Sequence, residues 1–137
     1  MAIQRIMAAL RARLLSSPEL VALIGDRVQA GELADVAEPV YPLITLNQMD
    51  GMLAVWAPRT TNPQRWMVQI HSQKGLHEAF GLGELVTALF HEQKNRTSGS
   101  GVCFHQIREI WSHPPVHDQT TNVWSMALQY ETRASIV

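Results

Sequence analysis

Residues 123–131 read Val-Trp-Ser-Met-Ala-Leu-Gln-Tyr-Glu, and this stretch decides the fold. Between Thr120 and Thr132, large apolar side chains occupy every second position. One alternating set is Trp124, Met126, Leu128 and Tyr130. The residues between them form the other set, which is Val123, Ser125, Ala127, Gln129 and Glu131. Successive side chains of a β-strand point to opposite faces of its sheet, so this period of two predicts a strand. We expect that strand to be central in its sheet, or at least paired along its whole length.

Other strands are predicted on both sides in the chain. The segment from Arg65 to His71 alternates in the same way, with Trp66, Val68 and Ile70 on the core side. Residues 42–46 form a short β-rich run that begins with proline, and residues 27–30 are consistent with a shorter strand. Residues 101–111 are rich in Val, Phe, Ile and Trp, and we expect Pro114-Pro115 to end that strand. Trp66, Trp111 and Trp124 are all predicted to lie mostly in the core.

Three helices are predicted from apolar residues at helical spacing. The first carries Ile3, Ile6, Met7, Leu10 and Leu14 on one face. The second is short, begins after Ser17 as N-cap with Pro18 in its first turn, and ends at Gly25. The third follows Gly75 and carries Ala79, Leu82, Val86, Leu89 and Phe90. Gly81 and Gly83 each cost that helix about 1 kcal/mol relative to alanine.

The order of these elements predicts an α+β domain over residues 1–137, with a mostly antiparallel sheet and helices packed on one face. The chain has 137 residues, 46% of them hydrophobic, which favours a globular core over disorder. A formal charge of -1 excludes a global polycation that binds nucleic acid through bulk charge. The lone Cys103 excludes an internal disulfide framework and fits a reducing cytoplasm, and no apolar run is long enough to span a membrane.

Two long loops are the predicted subunit interface. Residues 49–63 are read as a loop that is unusually apolar for a solvated segment, and residues 91–101 as a polar, flexible, exposed one. The candidate interface residues are Met52, Leu53, Val55 and Trp56 in the first loop, and Lys94 and Arg96 in the second. A tryptophan on an exposed loop is a common interface anchor. The alternative is that the first loop folds back and covers the sheet.

Evidence for catalysis or metal binding is sparse in the sequence. Cys103 and His105 lie two apart on a predicted strand, so they share a face and form a candidate nucleophile pair, although no third residue that would orient them is identifiable. The six histidines include no HExxH motif, and there is no CxxC. We therefore predict no metal and no cofactor. The nearest basic cluster is Arg5, Arg11 and Arg13 on the first helix, where a solvated face is the better interpretation than a nucleic-acid surface.

The order and spacing of four segments resemble the tail terminator, or tail completion and tail-to-head joining, proteins of long-tailed bacteriophages and gene transfer agents. The first is Ser-Pro-Glu-Leu-Val-Ala-Leu-Ile-Gly-Asp-Arg-Val at 17–28, similar to the family's opening short helix. The second is Tyr-Pro-Leu-Ile-Thr-Leu at 41–46, and the third is Trp-Met-Val-Gln-Ile-His-Ser at 66–72. The fourth is Trp-Ser-Met-Ala-Leu-Gln-Tyr at 124–130, similar to the family's closing strand. His71-Ser72 replaces a tryptophan-serine pair of that family.

The resemblance implies a structural virion protein rather than an enzyme. Such proteins form a ring, usually a hexamer, on the head-proximal end of the tail tube, where they stop tube polymerisation and present a surface to the head connector. The implied partners are further copies of the chain, the tail tube protein and the head-tail connector or neck protein, with DNA passing through the ring. The alternatives are another neck or head-closure subunit, or a small cytoplasmic enzyme that uses Cys103 and His105.

Overall fold

A mixed sheet of six strands and three α-helices form the architecture of the computed structural model, which describes residues 2–50, 64–91, 96–97 and 102–136. The helices are α1 (Ala2–Leu15), α2 (Pro18–Ile24) and α3 (Leu76–Phe90), and a short 3-10 helix covers Leu33–Asp35. The strands are β1 (Val28–Ala30), β2 (Leu43–Asp50), β3 (Gln64–Ser72), β4 (Arg96–Thr97), β5 (Val102–Asp118) and β6 (Val123–Ile136). Their order in the sheet is β1-β2-β3-β6-β5-β4, and only β1 and β2 pair in parallel.

The predicted α+β class and the central position of the last strand are confirmed. β6 lies between β3 and β5 and pairs with both. In the β3–β6 register Trp66 faces Tyr130, Val68 faces Leu128 and Ile70 faces Met126. Because directly opposed residues project from the same side of a sheet, these pairs build one apolar surface. The helices cover that surface.

The helices pack against this side of the sheet in one continuous core. Buried residues of all three helices belong to the same cluster as the apolar pairs of β3 and β6. Within it, the rings of Phe90 and Tyr130 meet edge to face with centroids 5.2 Å apart. The Tyr130 hydroxyl donates to Glu109 Oε1 at 3.1 Å, and the Thr87 hydroxyl donates to the same oxygen at 2.9 Å. One carboxylate thereby joins α3, β5 and β6, and burial raises the pKa of the Tyr130 phenol.

The N-terminal helices are formed as predicted. Ile6, Leu10 and Leu14 are buried along one side of α1, and the side chain of Ile3 lies outside the described part of the chain. The Ser17 hydroxyl accepts from the Leu20 amide at 3.3 Å, which caps α2. Gly25 ends α2 with φ +61°, a conformation that L side chains rarely adopt.

Strand β5 does not end at the double proline, so that prediction is wrong. It continues to Asp118, and its register against β6 shifts between His113 and Val116, where Pro114 and Pro115 lie. A proline has no N–H to give to a ladder, and a bulge is one of the places in a strand where none is required. The sequence pattern identifies the prolines but carries no sign of the bulge that accommodates them.

The loop predictions need two corrections. Strand β2 runs to Asp50, so the first residues of the predicted loop 49–63 belong to the sheet, while 51–63 lie outside the described residues. In the predicted loop 91–101, Arg96–Thr97 form β4, whose two residues pair with Phe104 and Cys103. The polar composition predicted a solvated loop at this position, but these two residues instead form backbone hydrogen bonds with β5.

Gly83 shows why a glycine occurs inside α3. A Cβ atom at Gly83 would lie 2.7 Å from the Met126 sulfur, whereas a Cβ at Gly81 would meet no atom within 4 Å. The absence of a side chain at Gly83 therefore lets α3 approach β6 closely. The helix is continuous through both glycines, because packing on the sheet outweighs their poor helix propensity.

We expect Gly83→Val to lower the free energy of unfolding by about 1–3 kcal/mol, because its branched side chain must displace Met126. The matched control is Gly81→Val, which places the same side chain in open space and should change stability by no more than about 0.5 kcal/mol. Urea unfolding followed by far-UV circular dichroism measures both. Equal effects at the two positions would contradict the close helix-to-sheet approach.

Candidate assembly surface

No α-helix of the described part of the chain covers the side of the sheet opposite α1, α2 and α3. We call the central part of this side the open face. It consists of the side chains, between the charged residues at the two ends, that alternate away from the helices on β2, β3, β5 and β6. These are Thr45, Asn47, Met67, Gln69, His71, Trp111, His113, Val116, Ser125, Ala127 and Gln129. Not one of them is Asp, Glu, Lys or Arg. A binding surface without formal charge is typical of the centre of a protein–protein interface and unsuited to nucleic-acid phosphates.

Trp111 is the largest exposed apolar side chain of the open face, with 42% of its surface accessible. Its ring lies 5.6 Å from that of His113, and Val116 beyond it is 55% exposed. The prediction that Trp111 is a core residue is therefore wrong. The register of β5 shifts between Glu109 and Trp111, and this bulge moves Trp111 from the helix side to the open face.

The other two strand tryptophans lie on the helix side. Trp66 is fully buried, as predicted, and its indole N–H donates to the Thr132 hydroxyl at 3.0 Å. Trp124 is only half-buried, since it lies near the end of β6, where its ring stacks on His117 with centroids 4.5 Å apart.

Charged residues border one end of the open face. Arg65 and Arg108 both lie opposite Glu131, one on each side of β6. The Arg108 guanidinium lies 3.4 Å from the Glu131 carboxylate, and about half of the Arg108 side chain is exposed. Arg133 is also exposed, one step further along the same side of β6. The border therefore combines three arginines with Glu131 and with Asp50, which lies opposite Arg65 in the β2–β3 register, as a polar rim around a neutral centre.

His71 is buried at the other end of the open face. One ring nitrogen lies 2.9 Å from the Thr45 hydroxyl and the other lies 2.8 Å from the Ser125 hydroxyl. The imidazole thus joins the three strands β2, β3 and β6 by side-chain hydrogen bonds. Burial lowers the pKa of His71 to about 4, because the charged form would lose its hydration. At neutral pH the ring is uncharged, in keeping with the rest of the face.

A cavity of about 530 Å³ opens on this end of the face. The 3-10 segment forms one wall with Glu32, Leu33 and Ala34. The floor is formed by the sheet residues Asn47, Gln48, Met49, Met67, Gln69, His71 and Ser125. Amides, one carboxylate and the Ser125 hydroxyl, which is hydrogen-bonded to His71, give this cavity hydrogen-bonding capacity. Because burial lowers the pKa of His71 to about 4, its ring is a weak base for activating that hydroxyl as a nucleophile. The sequence pattern gives no sign that Glu32, Leu33 and Ala34 form a wall over the sheet.

The predicted interface residues are not brought together by the described structure. Met52, Leu53, Val55, Trp56 and Lys94 lie outside the described residues. Arg96 lies in β4 at the edge of the sheet, and its backbone pairs with that of Phe104.

The argument that Cys103 and His105 share one face of a strand, and so form a nucleophile pair, does not hold in the structure. Cys103 is partly exposed on β5, but the register shifts between Phe104 and Gln106, so His105 is the extra residue of a bulge. The rule that residues two apart share a face does not apply across a bulge. The side chain of His105 lies outside the described part of the chain. Among the residues that the structure does describe, no group of three or more His, Cys, Asp and Glu is placed to hold a metal ion.

Two basic residues of α1, Arg11 and Arg13, contact other parts of the same chain. Arg11 donates from Nε to the carbonyl of Val28 at 3.0 Å, and from Nη2 to that of Asp26 at 3.3 Å. The guanidinium of Arg13 lies 5.4 Å from the centroid of the Phe104 ring, a cation–π distance. These contacts stabilise the packing of α1 on the sheet. Both arginines therefore have a structural role, and they do not form a basic patch for phosphate binding. In the described ranges no helix has the length and apolar character needed to cross a bilayer.

The fold is similar to that of a chain in the virion of a native gene transfer agent particle. The two chains superpose with a TM-score of 0.67 over 93% of this chain and 92% of that chain, at 12% sequence identity. No protein-family model and no curated protein matches the sequence. The comparison therefore shows a shared fold over nearly the whole length of both chains.

We expect His71 to make stability depend on pH below neutrality. Between pH 6.5 and about 4 the unfolded chain binds a proton at this residue that the folded chain does not, so the folded state loses stability as pH falls. The full span of that shift corresponds to roughly 3 kcal/mol. His71→Gln should be less stable than wild type at pH 7, and the gap should narrow steadily towards pH 4. Urea unfolding at several pH values measures both proteins, and a gap that stays constant would contradict a neutral, buried His71.

Proposed function

We propose that this protein is a structural component of a bacteriophage or gene transfer agent virion. The observation that carries the proposal is the fold shared with a gene transfer agent virion chain over 93% of this chain. A neutral open face with an exposed tryptophan also favours a protein partner over a small-molecule substrate. The proposed activity is assembly, which needs neither a catalytic residue nor a cofactor.

Within the virion, we propose the role of tail terminator. In this role residues 1–137 act as a single unit that forms a ring, with six copies as the expected number, on the head-proximal end of the tail tube. The ring stops tube growth and offers a surface to the connector or neck protein, while DNA passes through its centre. The segments at 17–28, 41–46, 66–72 and 124–130 that resemble the tail terminators support this choice. In the fold they contain α2 with the first residue of β1, and then parts of β2, β3 and β6.

The physical requirement is end-specific binding. One side of the ring must reproduce a contact that a tube subunit makes, and the other side must not accept another tube ring. A rigid sheet supported by helices suits this task, because each copy fixes the relative position of its binding surfaces. Many symmetric contacts around a ring also offset the cost in conformational entropy of ordering loops on contact. We place assembly in the host cytoplasm and the mature protein in the virion.

The alternative role in the same particle is a different neck or head-closure subunit. Such a protein would attach to the head before the tail arrives and would not affect the length of the tube. Tube length therefore separates the two roles.

We expect a lysate that lacks this protein to contain abnormally long tails or tails that fail to join heads, and added purified protein to restore joining. Electron microscopy of negatively stained lysates measures both outcomes. Cys103→Ser is the control for the enzyme alternative and should restore joining as well as wild type. Tails of normal length that join heads without the protein would contradict the tail terminator role.

The predicted interface loop gives a second test. Trp56→Ala should weaken ring or tail assembly and leave the melting temperature of the isolated protein nearly unchanged, because an interface anchor contributes to binding rather than to the monomer core. Differential scanning calorimetry and the joining assay measure the two effects. A loss of several kcal/mol of monomer stability would instead identify Trp56 as a core residue.

A further inference from the structure

Two surfaces formed by the described residues have no packing partner among those residues, and their characters are complementary. One of them is the open face, which no α-helix of the described ranges covers. The other is the outer side of α3, which is apolar where a solvated helix is polar. We call it the outer stripe and define it by Leu76, Phe80, Gly81 and Glu84.

The outer stripe points away from the sheet. Leu76 and Phe80 are 37% and 40% exposed, and Glu84 is also exposed. These three residues are spaced by four, so they follow one another along a single side of the helix. The opposite side of α3 buries Ala79, Leu82, Gly83, Val86 and Phe90 against the molecule's own core. The stripe is therefore apolar over its first two members and acidic at the third.

Along β6, the open face changes from neutral to charged residues, as the outer stripe changes from apolar to acidic along α3. Its rows at Ala127 and Gln129 are neutral and include Trp111 and Met67. In the next row Arg65 and Arg108 flank Glu131, with Asp50 opposite Arg65, and Arg133 lies one step beyond on β6. From Ala127 to Glu131 the strand advances about 14 Å. From Leu76 to Glu84 the helix advances about 12 Å. An α3 laid along β6 would thus place its two apolar residues on the neutral rows and Glu84 at the charged end of the face, where three arginines outnumber Glu131 and Asp50.

We propose that the outer stripe of one copy of this chain packs on the open face of the next copy. This gives each sheet a second helix layer, supplied by a neighbour. The proposal deepens the proposed function, on which it rests, by naming the contact between successive subunits. Because the two surfaces differ, the contact is heterologous, and repetition of a heterologous contact generates a closed ring or an open filament.

The extent of the contact fits a subunit that assembles on a template. Four strands and three rows of side chains cover roughly 400 Å². A stable two-protein interface buries about 800 Å² on each partner, so one such contact alone is weak. Closure of a ring, or binding to a tube end, adds the contacts that one pair lacks.

The edge of the sheet is a poorer site for this contact. Beyond its short pairing with β4, the outer edge of β5 is interrupted by bulges, and Pro114 and Pro115 remove two amide donors from it. Bulges and prolines are devices that prevent a further strand from pairing with an edge. The open face, rather than the edge, is therefore the surface that another copy can cover.

Cross-linking between cysteine variants tests the proposal directly. In a Cys103→Ser background, Phe80→Cys marks the outer stripe and Gln129→Cys marks the centre of the open face. A short bis-maleimide should link the two variants when they are mixed, and should link neither variant to itself. The matched control is Val40→Cys, at an apolar residue that is 59% exposed and lies outside both surfaces; it should not link to either variant.

The chain that carries both cysteines should give a ladder of linked species. Its largest band then counts the subunits of the ring, because the two cysteines of one molecule lie on opposite sides of its sheet. Gly81→Arg should abolish this ladder without unfolding the protein, since a side chain there starts in open space. Far-UV circular dichroism checks that the variant remains folded.

Three outcomes would overturn the proposal. They are linkage of Gln129→Cys only to itself, linkage of Phe80→Cys only to itself, and no linkage in any mixture at the highest protein concentration reached. None of these bears on the role as tail terminator, which is tested separately by tube length. Normal tubes in the absence of the protein would in turn remove that role and leave the cross-linking result intact.

Discussion

The pairing of β3 with β6 is the constraint on which the rest of the structure depends. It aligns Trp66 with Tyr130 and two further apolar pairs on one side of the sheet. That surface determines where the helices bind, and Gly83 allows α3 to approach it closely. On the other side the same register brings His71 next to Ser125, so one pairing defines both the core and the open face.

The two sides of the sheet serve different purposes. The helix side holds the continuous core and accounts for the stability of the chain. The open side is neutral, carries an exposed tryptophan, and is bordered by charges of both signs. An assembly protein needs this division, because its binding surfaces must remain uncovered in the free subunit while the fold is held together elsewhere.

The sequence predicted the parts of the fold that depend on side-chain period. The alternation in β3 and β6 and the helical spacing in α1 and α3 are each repeated over several residues, so their patterns are clear. Bulges have no such period, and every error on β5 arises from one. They move Trp111 to the open face, make His105 an extra residue in the β5 backbone, and let the strand continue through Pro114. The neutral character of the open face becomes visible only when residues from four strands are placed side by side.

The position of the protein in the particle tests the central claim most directly. Particles assembled with an epitope-tagged copy of the chain can be labelled with gold-conjugated antibody and imaged by electron microscopy, both as free tails and as complete virions. If the protein is a tail terminator, we expect a single cluster of label at one end of each free tail, and label at the junction between head and tail in virions. Label along the length of the tube, or on the head in particles without tails, would contradict that role.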